Sequence, residues 1–257
     1  MTRSTTTVSS NEFIAGVTCL RLSLKNSDGA MQLVPDLIEE LLQALASDRT
    51  SRLVILEGIP GSFCEGLDLD SLVQQSTDHA DIGLAKFAQL LAAIEQTPRP
   101  VIALVDGQAM GGGVGLAAAA DLVLASIQAS FALPETVMGM IPAVVFPYIA
   151  RRIGVPKARL LALGAKPLSA AIAFQVGLVD EIVDDLEKTC KRYARRFSYM
   201  EPRAIGTMKA LVATHFTTPI DYQANAVNHL HELLASQETR TRLRRFAAGE
   251  SPWTEEN

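Results

Sequence analysis

The run Gly111-Gly112-Gly113 constrains this chain more than any other feature. It ends the stretch Val105-Asp106-Gly107-Gln108-Ala109-Met110 and opens an apolar run that begins Val114-Gly115-Leu116. Upstream, Pro98 and Pro100 forbid helix, and Val101-Ile102-Ala103-Leu104-Val105 then reads as a buried strand. Residues 111–120, rich in Gly and Ala, read as a buried helix that neighbours approach closely. A strand feeding a glycine turn that opens a helix belongs to an α/β fold. The turn has two readings. It presents free backbone N–H groups at the positive end of a helix, where an anion, or an oxygen becoming one, can sit. It is equally a tight turn needing positive φ and close packing. The G-x-G-x-x-G spacing of a dinucleotide site is absent, as is a P-loop lysine.

The same order recurs along the chain. Residues 13–24 read as strand material, Asn26-Ser27-Asp28-Gly29 as a turn, and Leu37, Ile38, Leu41, Leu42 and Leu45 as one helix face. Residues 52–57 are a short strand, 63–72 a loop ending in helix, 74–81 a polar and mobile stretch, and 84–94 an amphipathic helix. Residues 121–126 are a third strand, and 135–165 are mostly helical with interruptions near Pro142 and Pro147. Residues 188–197 and 205–215 are basic amphipathic helices, and 221–245 is one long helical stretch. Residues 1–11 are polar and expected to fray. With 48% hydrophobic and 20% charged residues in 257, a sizeable core is available. A net charge of −5 without a dominant basic patch argues against nucleic acid. No apolar run is long and clean enough to cross a membrane, no signal-peptide core is present, and the unpaired cysteine pattern suits a reducing cytoplasm.

Two further segments carry chemistry. Gly61-Ser62-Phe63-Cys64-Glu65-Gly66-Leu67-Asp68-Leu69 also follows a strand; it either supplies a second backbone donor or is an ordinary loop capped by Asp68. Glu135, after Phe131-Ala132-Leu133-Pro134, is either a general base or a favourable charge at a helix start. A carboxylate beside an oxyanion-holding turn suggests enolate chemistry on a thioester. Cys64 lacks an activating histidine and is a small buried thiol by default. His229 and His231 lie two apart on a helix, so they make a poor metal pair, and no metal site is expected. Lys191, Arg192, Arg195 and Arg196, like Arg240, Arg242, Arg244 and Arg245, are a solvated face or a surface for phosphates or an acidic carrier.

Taken together, these segments resemble the enoyl-CoA hydratase/isomerase (crotonase) superfamily. The 61–69 loop is similar to its F-C-x-G-x-D-L element, and residues 105–113 to its N-G-x-A-x-G-G-G element. Residues 131–141, and Lys166-Pro167-Leu168-Ser169-Ala170-Ala171 through Gly177-Leu178-Val179-Asp180, are similar to its later signatures. The resemblance implies an α/β spiral of ββα units over residues 12–198 and a helical C-terminal trimerisation region over 199–257. It implies oxyanion donors at the backbone N–H groups of Leu67 and Gly112, Glu135 as the catalytic carboxylate, and Cys64, Gly66, Asp68 and Gly111 around the substrate. It implies no metal or redox cofactor. The substrate rides on CoA or on the phosphopantetheine of an acyl carrier protein, and the enzyme is a homotrimer or a dimer of trimers.

One departure sorts the subgroup. Two-glutamate hydratases carry their first catalytic carboxylate where this chain has Gly115. The chain is most similar to the dehydratases of polyketide β-branching cassettes, which convert 3-hydroxy-3-methylglutaryl-carrier to 3-methylglutaconyl-carrier. Pro142-Ala143-Val144-Val145-Phe146-Pro147, Arg151-Arg152-Ile153-Gly154 and Gly249-Glu250-Ser251-Pro252-Trp253 share that likeness. A single-glutamate Δ3,Δ2-enoyl-CoA isomerase is the second reading, and a non-catalytic carrier-binding subunit the third. Asn26-Ser27-Asp28-Gly29-Ala30-Met31-Gln32 matches the family's adenine-contacting stretch only loosely, which favours a carrier-bound arm over free CoA.

Overall fold

The structure, a computed structural model, describes residues 8–68, 77–216 and 220–250. The chain opens with a hairpin of β1 (Ser9–Ile14) and β2 (Val17–Ser23), then β3 (Gln32–Leu33) and α1 (Pro35–Ser47). There follow β4 (Leu53–Glu57), β5 (Ser62–Cys64), β6 (Gly66–Leu67) and α2 (Thr77–Gln96). Next come β7 (Val101–Val105), β8 (Gln108–Met110) and α3 (Gly112–Ala119), then β9 (Leu122–Ala125), β10 (Ser130–Ala132), α4 (Phe146–Ile153) and α5 (Val155–Gly164). The chain continues through β11 (Leu168–Ser169), α6 (Ala170–Val176), β12 (Glu181–Ile182) and α7 (Leu186–Ser198). It ends in α8 (Pro202–Phe216), α9 (Ile220–Ala235) and α10 (Gln237–Ala247).

Each turn of the spiral is a strand in one sheet, a shorter strand in another, then a helix. The larger sheet runs β1-β2-β4-β7-β9-β12, the second β11-β10-β8-β5, and β3 pairs with β6. From β2 through β12 the larger sheet is parallel, as right-handed crossovers through helices require. Its inner strands are apolar on both faces because helices cover both: β7 is buried throughout. One core lies between this sheet and the α1, α2 and α3 layer. A smaller cluster of Ile14, Val17, Cys19, Leu53, Ile55, Ile102, Leu104 and Leu124 packs under α7. The same device fixes two neighbouring strand starts: Asp121 Oδ2 accepts from the Val101 N–H at 2.8 Å, and Asp180 Oδ2 from the Val123 N–H at 2.7 Å. Lys209 Nζ of α8 donates to Asp121 at 2.5 Å and Arg152 of α4 donates to Asp180, so helices are tied to the strands they cover.

Several expectations are refined. The strand expected over 13–24 is a hairpin turning at Ala15 and Gly16, both at positive φ, and residues 9–11 are paired strand rather than frayed chain. The segment after β4 holds two short strands where a loop was expected. The 84–94 helix begins earlier, at Thr77, so residues 77–81 are helical; residues 69–76 lie outside the described residues. Residues 134–145 are turns, not helix. The single long C-terminal helix is two, broken at Ser236. Residues 1–7 and the Ser251-Pro252-Trp253 tail lie outside the described residues.

Candidate active site

The register of the second sheet assembles the site. Cys64 of β5 pairs with Ala109 of β8, which pairs with Phe131 of β10, all parallel. The residues just past each strand therefore meet at one end: Glu65-Gly66-Leu67, Gly111-Gly112, and Pro134-Glu135. Clefts at the carboxyl ends of parallel strands are where open α/β sheets hold ligands. Gly111 turns the chain with φ 50° and ψ −112°, a conformation closed to side-chain-bearing residues, and donates its N–H to Ala132 O at 2.9 Å. Gly112 is then the first residue of α3, and its N–H has no backbone acceptor among the described residues. A Cβ on Gly66 would lie 3.3 Å from the Gly112 nitrogen, so the two loops abut backbone to backbone.

Between them lies a cavity of about 70 Å³, several times the ~10–15 Å³ that one water requires. Gly66, Leu67, Gly111, Gly112 and Glu135 line it together. Leu84 and Phe87 of α2, Met138 and Met140, Val145, and Leu230, Leu234 and Phe246 from the C-terminal helices complete apolar walls. Among the described lining residues the ionisable ones are Glu65, which is exposed, and Glu135. No lysine, arginine or histidine is among them.

Glu135 is held by its backbone: its carbonyl accepts from the N–H groups of Met138 at 3.1 Å and Met140 at 2.8 Å. Its Oε1 would lie 3.1 Å from a Cβ on Gly111, so the carboxylate sits directly over the glycine turn. Part of the residue is open to the cavity, but Oε2 is buried and accepts no hydrogen bond among the described residues. Burial without a compensating cation pushes its pKa up to about 7, against a smaller lowering by its own backbone N–H. A carboxylate poised near neutrality can take a proton and return it.

Cys64 and Asp68 are not among the cavity-lining residues. Cys64 points into the core, fully buried, and burial pushes its thiol up to about 12. The Asp68 N–H donates to Leu33 O at 3.3 Å, continuing the β3–β6 pairing. The resemblance implies both as substrate contacts; here Cys64 closes β5 with its side chain in the core, and Asp68 lies one residue past Leu67, the last of the described loop residues to line the cavity. Sequence reasoning also missed the Leu230, Leu234 and Phe246 wall, for which no local signal existed, and Glu65, which the 61–69 motif contained. Among the described residues no His, Cys, Asp and Glu side chains converge as a metal site, and no helix is long and apolar enough to cross a membrane.

The family model described as enoyl-CoA hydratase/isomerase matches residues 13–256, and the chain belongs to that family, within the crotonase superfamily. A crystal structure of a polyketide biosynthesis enoyl-CoA hydratase, pksH, from Bacillus subtilis superposes with a TM-score of 0.82 at 26% identity, covering 95% of this chain and 99% of that one. The chain is 29% identical over 230 residues to the bacillaene synthase dehydratase PksH of Bacillus subtilis (strain 168), covering 86% of this chain and 87% of the relative. It is 30% identical over 202 residues to human mitochondrial methylglutaconyl-CoA hydratase, covering 74% of this chain and 60% of the relative.

Proposed function

We propose that the protein dehydrates a β-hydroxyacyl thioester, with Glu135 as the one acid–base group. The observation that carries this reading is the Glu135 carboxylate, buried, uncompensated and seated over the Gly111-Gly112 turn. The backbone N–H groups of Leu67 and Gly112 hold the thioester oxygen. Glu135 removes the α-proton, and the C–H electron pair moves into the enolate. The enolate collapses to the α,β-double bond as the C3–O bond breaks, and Glu135 returns its proton to the departing hydroxide. One water leaves, with no redox change and no cofactor consumed.

The substrate we propose is 3-hydroxy-3-methylglutaryl on an acyl carrier protein, giving 3-methylglutaconyl-carrier in polyketide β-branching. Two relatives support it by their names: a polyketide synthase dehydratase, and a hydratase of the methylglutaconyl thioester. A trimer built on the C-terminal helices fits the exposed Met208 and Val212 of α8. The described lining residues, apolar and without a cation among them, favour a second reading, Δ3,Δ2-isomerisation of an enoyl thioester with an uncharged chain. Intact-mass analysis of carrier loaded with 3-hydroxy-3-methylglutaryl separates the two. Loss of one water, abolished by Glu135→Gln, supports dehydration. An unchanged mass together with conversion of a 3-enoyl-CoA to its conjugated isomer supports the isomerase. Inertness on both supports a carrier-binding subunit. Running the same substrate on CoA and on carrier tests the carrier preference, which faster turnover on CoA overturns.

A further inference from the structure

We propose that Val145 is a specificity-determining residue that bars a carboxylate from position 115, beside Glu135; the inference deepens the reading above and rests on it for the chemistry, though not for the packing. Gly115 lies one turn into α3, beyond Gly112, and is wholly buried. It does not line the cavity, whereas Val145, the residue before α4, does. The two are interlocked. A Cβ on Gly115 would sit 2.7 Å from Val145 Cβ and closer still to Cγ1, where real Cβ atoms do not go. The direction in which a side chain at 115 would grow is therefore the direction of the cavity, and the valine stands in between.

The glycine alone does not explain the missing carboxylate. Without Val145, position 115 would open onto the substrate space, and water would fill it or a longer side chain could reach through it. With Val145 present, that wall is methyl groups. A β-branched side chain has few rotamers with which to step aside, and its main chain is fixed by the turn into α4, where the Tyr148 and Ile149 N–H groups donate to Val145 O at 3.1 and 3.3 Å. The consequence for the reaction is that position 115 adds no carboxylate to the site, and both proton transfers, in elimination and by microscopic reversibility in addition of water, fall to Glu135. Val145 sets which substrates are turned over fast by excluding an acid–base partner rather than by touching the reacting atoms with a polar group.

The test is a cycle of Gly115→Glu, Val145→Gly and the double variant, with Gly115→Ala and its double as a milder pair should the glutamate variant not fold. Glycine is acceptable at 145 because that residue precedes a helix. Melting temperature reads the packing with no substrate present. Gly115→Ala or Gly115→Glu alone is expected to lower Tm by roughly 3–10 °C from overpacking, and the matching double to lie within about 2 °C of Val145→Gly. Hydration of crotonyl-CoA reads the specificity. The Gly115→Glu/Val145→Gly protein is expected to gain about tenfold or more over the wild type, and Gly115→Glu alone to gain nothing. Additive Tm changes, or a Gly115→Ala as stable as the wild type, overturn the interlock. Normal coupling without any gain in hydration overturns the role in specificity. A wild type inert on every thioester, with coupling intact and hydration gained by the double, sinks the dehydratase reading and leaves this one standing.

Discussion

Replacing Glu135 by glutamine is expected to stabilise the fold while it removes the activity, and the stabilisation has a definite pH dependence. The carboxyl titrates at about 7 in the folded chain against an ordinary 4.5, because burial disfavours its charged form. Below about pH 4.5 the folded and unfolded chains both carry the proton, and the residue makes no difference. From there to about pH 7 the unfolded chain releases the proton and the folded chain does not, so the wild type loses stability as the pH rises. Above pH 7 both are ionised and the loss is constant. At 1.36 kcal/mol per pH unit, the displacement from 4.5 to about 7 is worth about 3 kcal/mol. That is a ceiling, since water in the cavity solvates part of the charge and glutamine brings its own amide to satisfy. For a domain of this size it corresponds to a Tm gain of roughly 6–12 °C at pH 8, shrinking to nothing near pH 4. Thermal melts of wild type and Glu135→Gln at pH 4, 6 and 8 read it directly. A Tm difference that is the same at all three pH values would refute the claim that this carboxylate is buried uncompensated. The same variant should turn over β-hydroxyacyl thioester about 10²–10⁴ more slowly; wild-type turnover would remove Glu135 from the mechanism.

Other expectations follow from the same geometry. The kcat/KM of the wild type should rise with pH through about 7, as Glu135 ionises to the base form, and then level off; a flat profile between pH 5 and 9 contradicts its role as base. Gly111→Ala forces a side chain into a glycine-only conformation and brings a Cβ to 3.1 Å from Glu135 Oε1. It should cost about 1–3 kcal/mol of stability in denaturant titration and lower kcat, and a silent variant would show that the turn is not strained. Cys19, Cys64 and Cys190 are all buried, with thiols pushed up to about 11, 12 and 12. At pH 8 none should react with a thiol reagent until the chain is unfolded, and Cys64→Ala should keep activity; a fast-reacting native thiol would contradict both.

The parts legible in the sequence were those that repeat a local physical pattern. Val101–Val105 reads as a two-faced buried strand, Gly111-Gly112-Gly113 as a turn into a helix, and Leu37, Ile38, Leu41 and Leu45 as one helix face, because each is dictated within a few residues. The tight-turn reading holds, since Gly111 needs its positive φ and Gly113 would meet the Cys64 Cβ at 2.8 Å, and the Gly112 N–H, without a backbone acceptor among the described residues, is what the oxygen-holding reading requires. The second sheet was not legible. Its strands β5, β8, β10 and β11 are two or three residues long, too short for alternation to show. Yet its register is what brings Leu67, Gly112 and Glu135 to one cavity. Val145 was hidden for a different reason. An apolar residue beside other apolar residues carries no mark of the glycine it will face thirty positions away.

The wall formed by Leu230, Leu234 and Phe246 has a consequence for how such a protein changes over time. The residues proposed to hold the oxygen and move the proton all lie between Gly66 and Glu135, just past strand ends locked by register. Those three apolar side chains lie on α9 and α10, whose polar residues meet the turn after Glu135 at its backbone carbonyls, Thr239 Oγ1 donating to Gly139 O and Arg242 to Val137 O, both at 3.3 Å. Altered preference for chain length or branching can therefore accumulate at those three apolar positions while the bonds to the Glu135 turn are kept. The converse has a limit: drawing those helices off the core removes the apolar wall and also the bonds from Thr239 and Arg242 that steady the turn carrying Glu135.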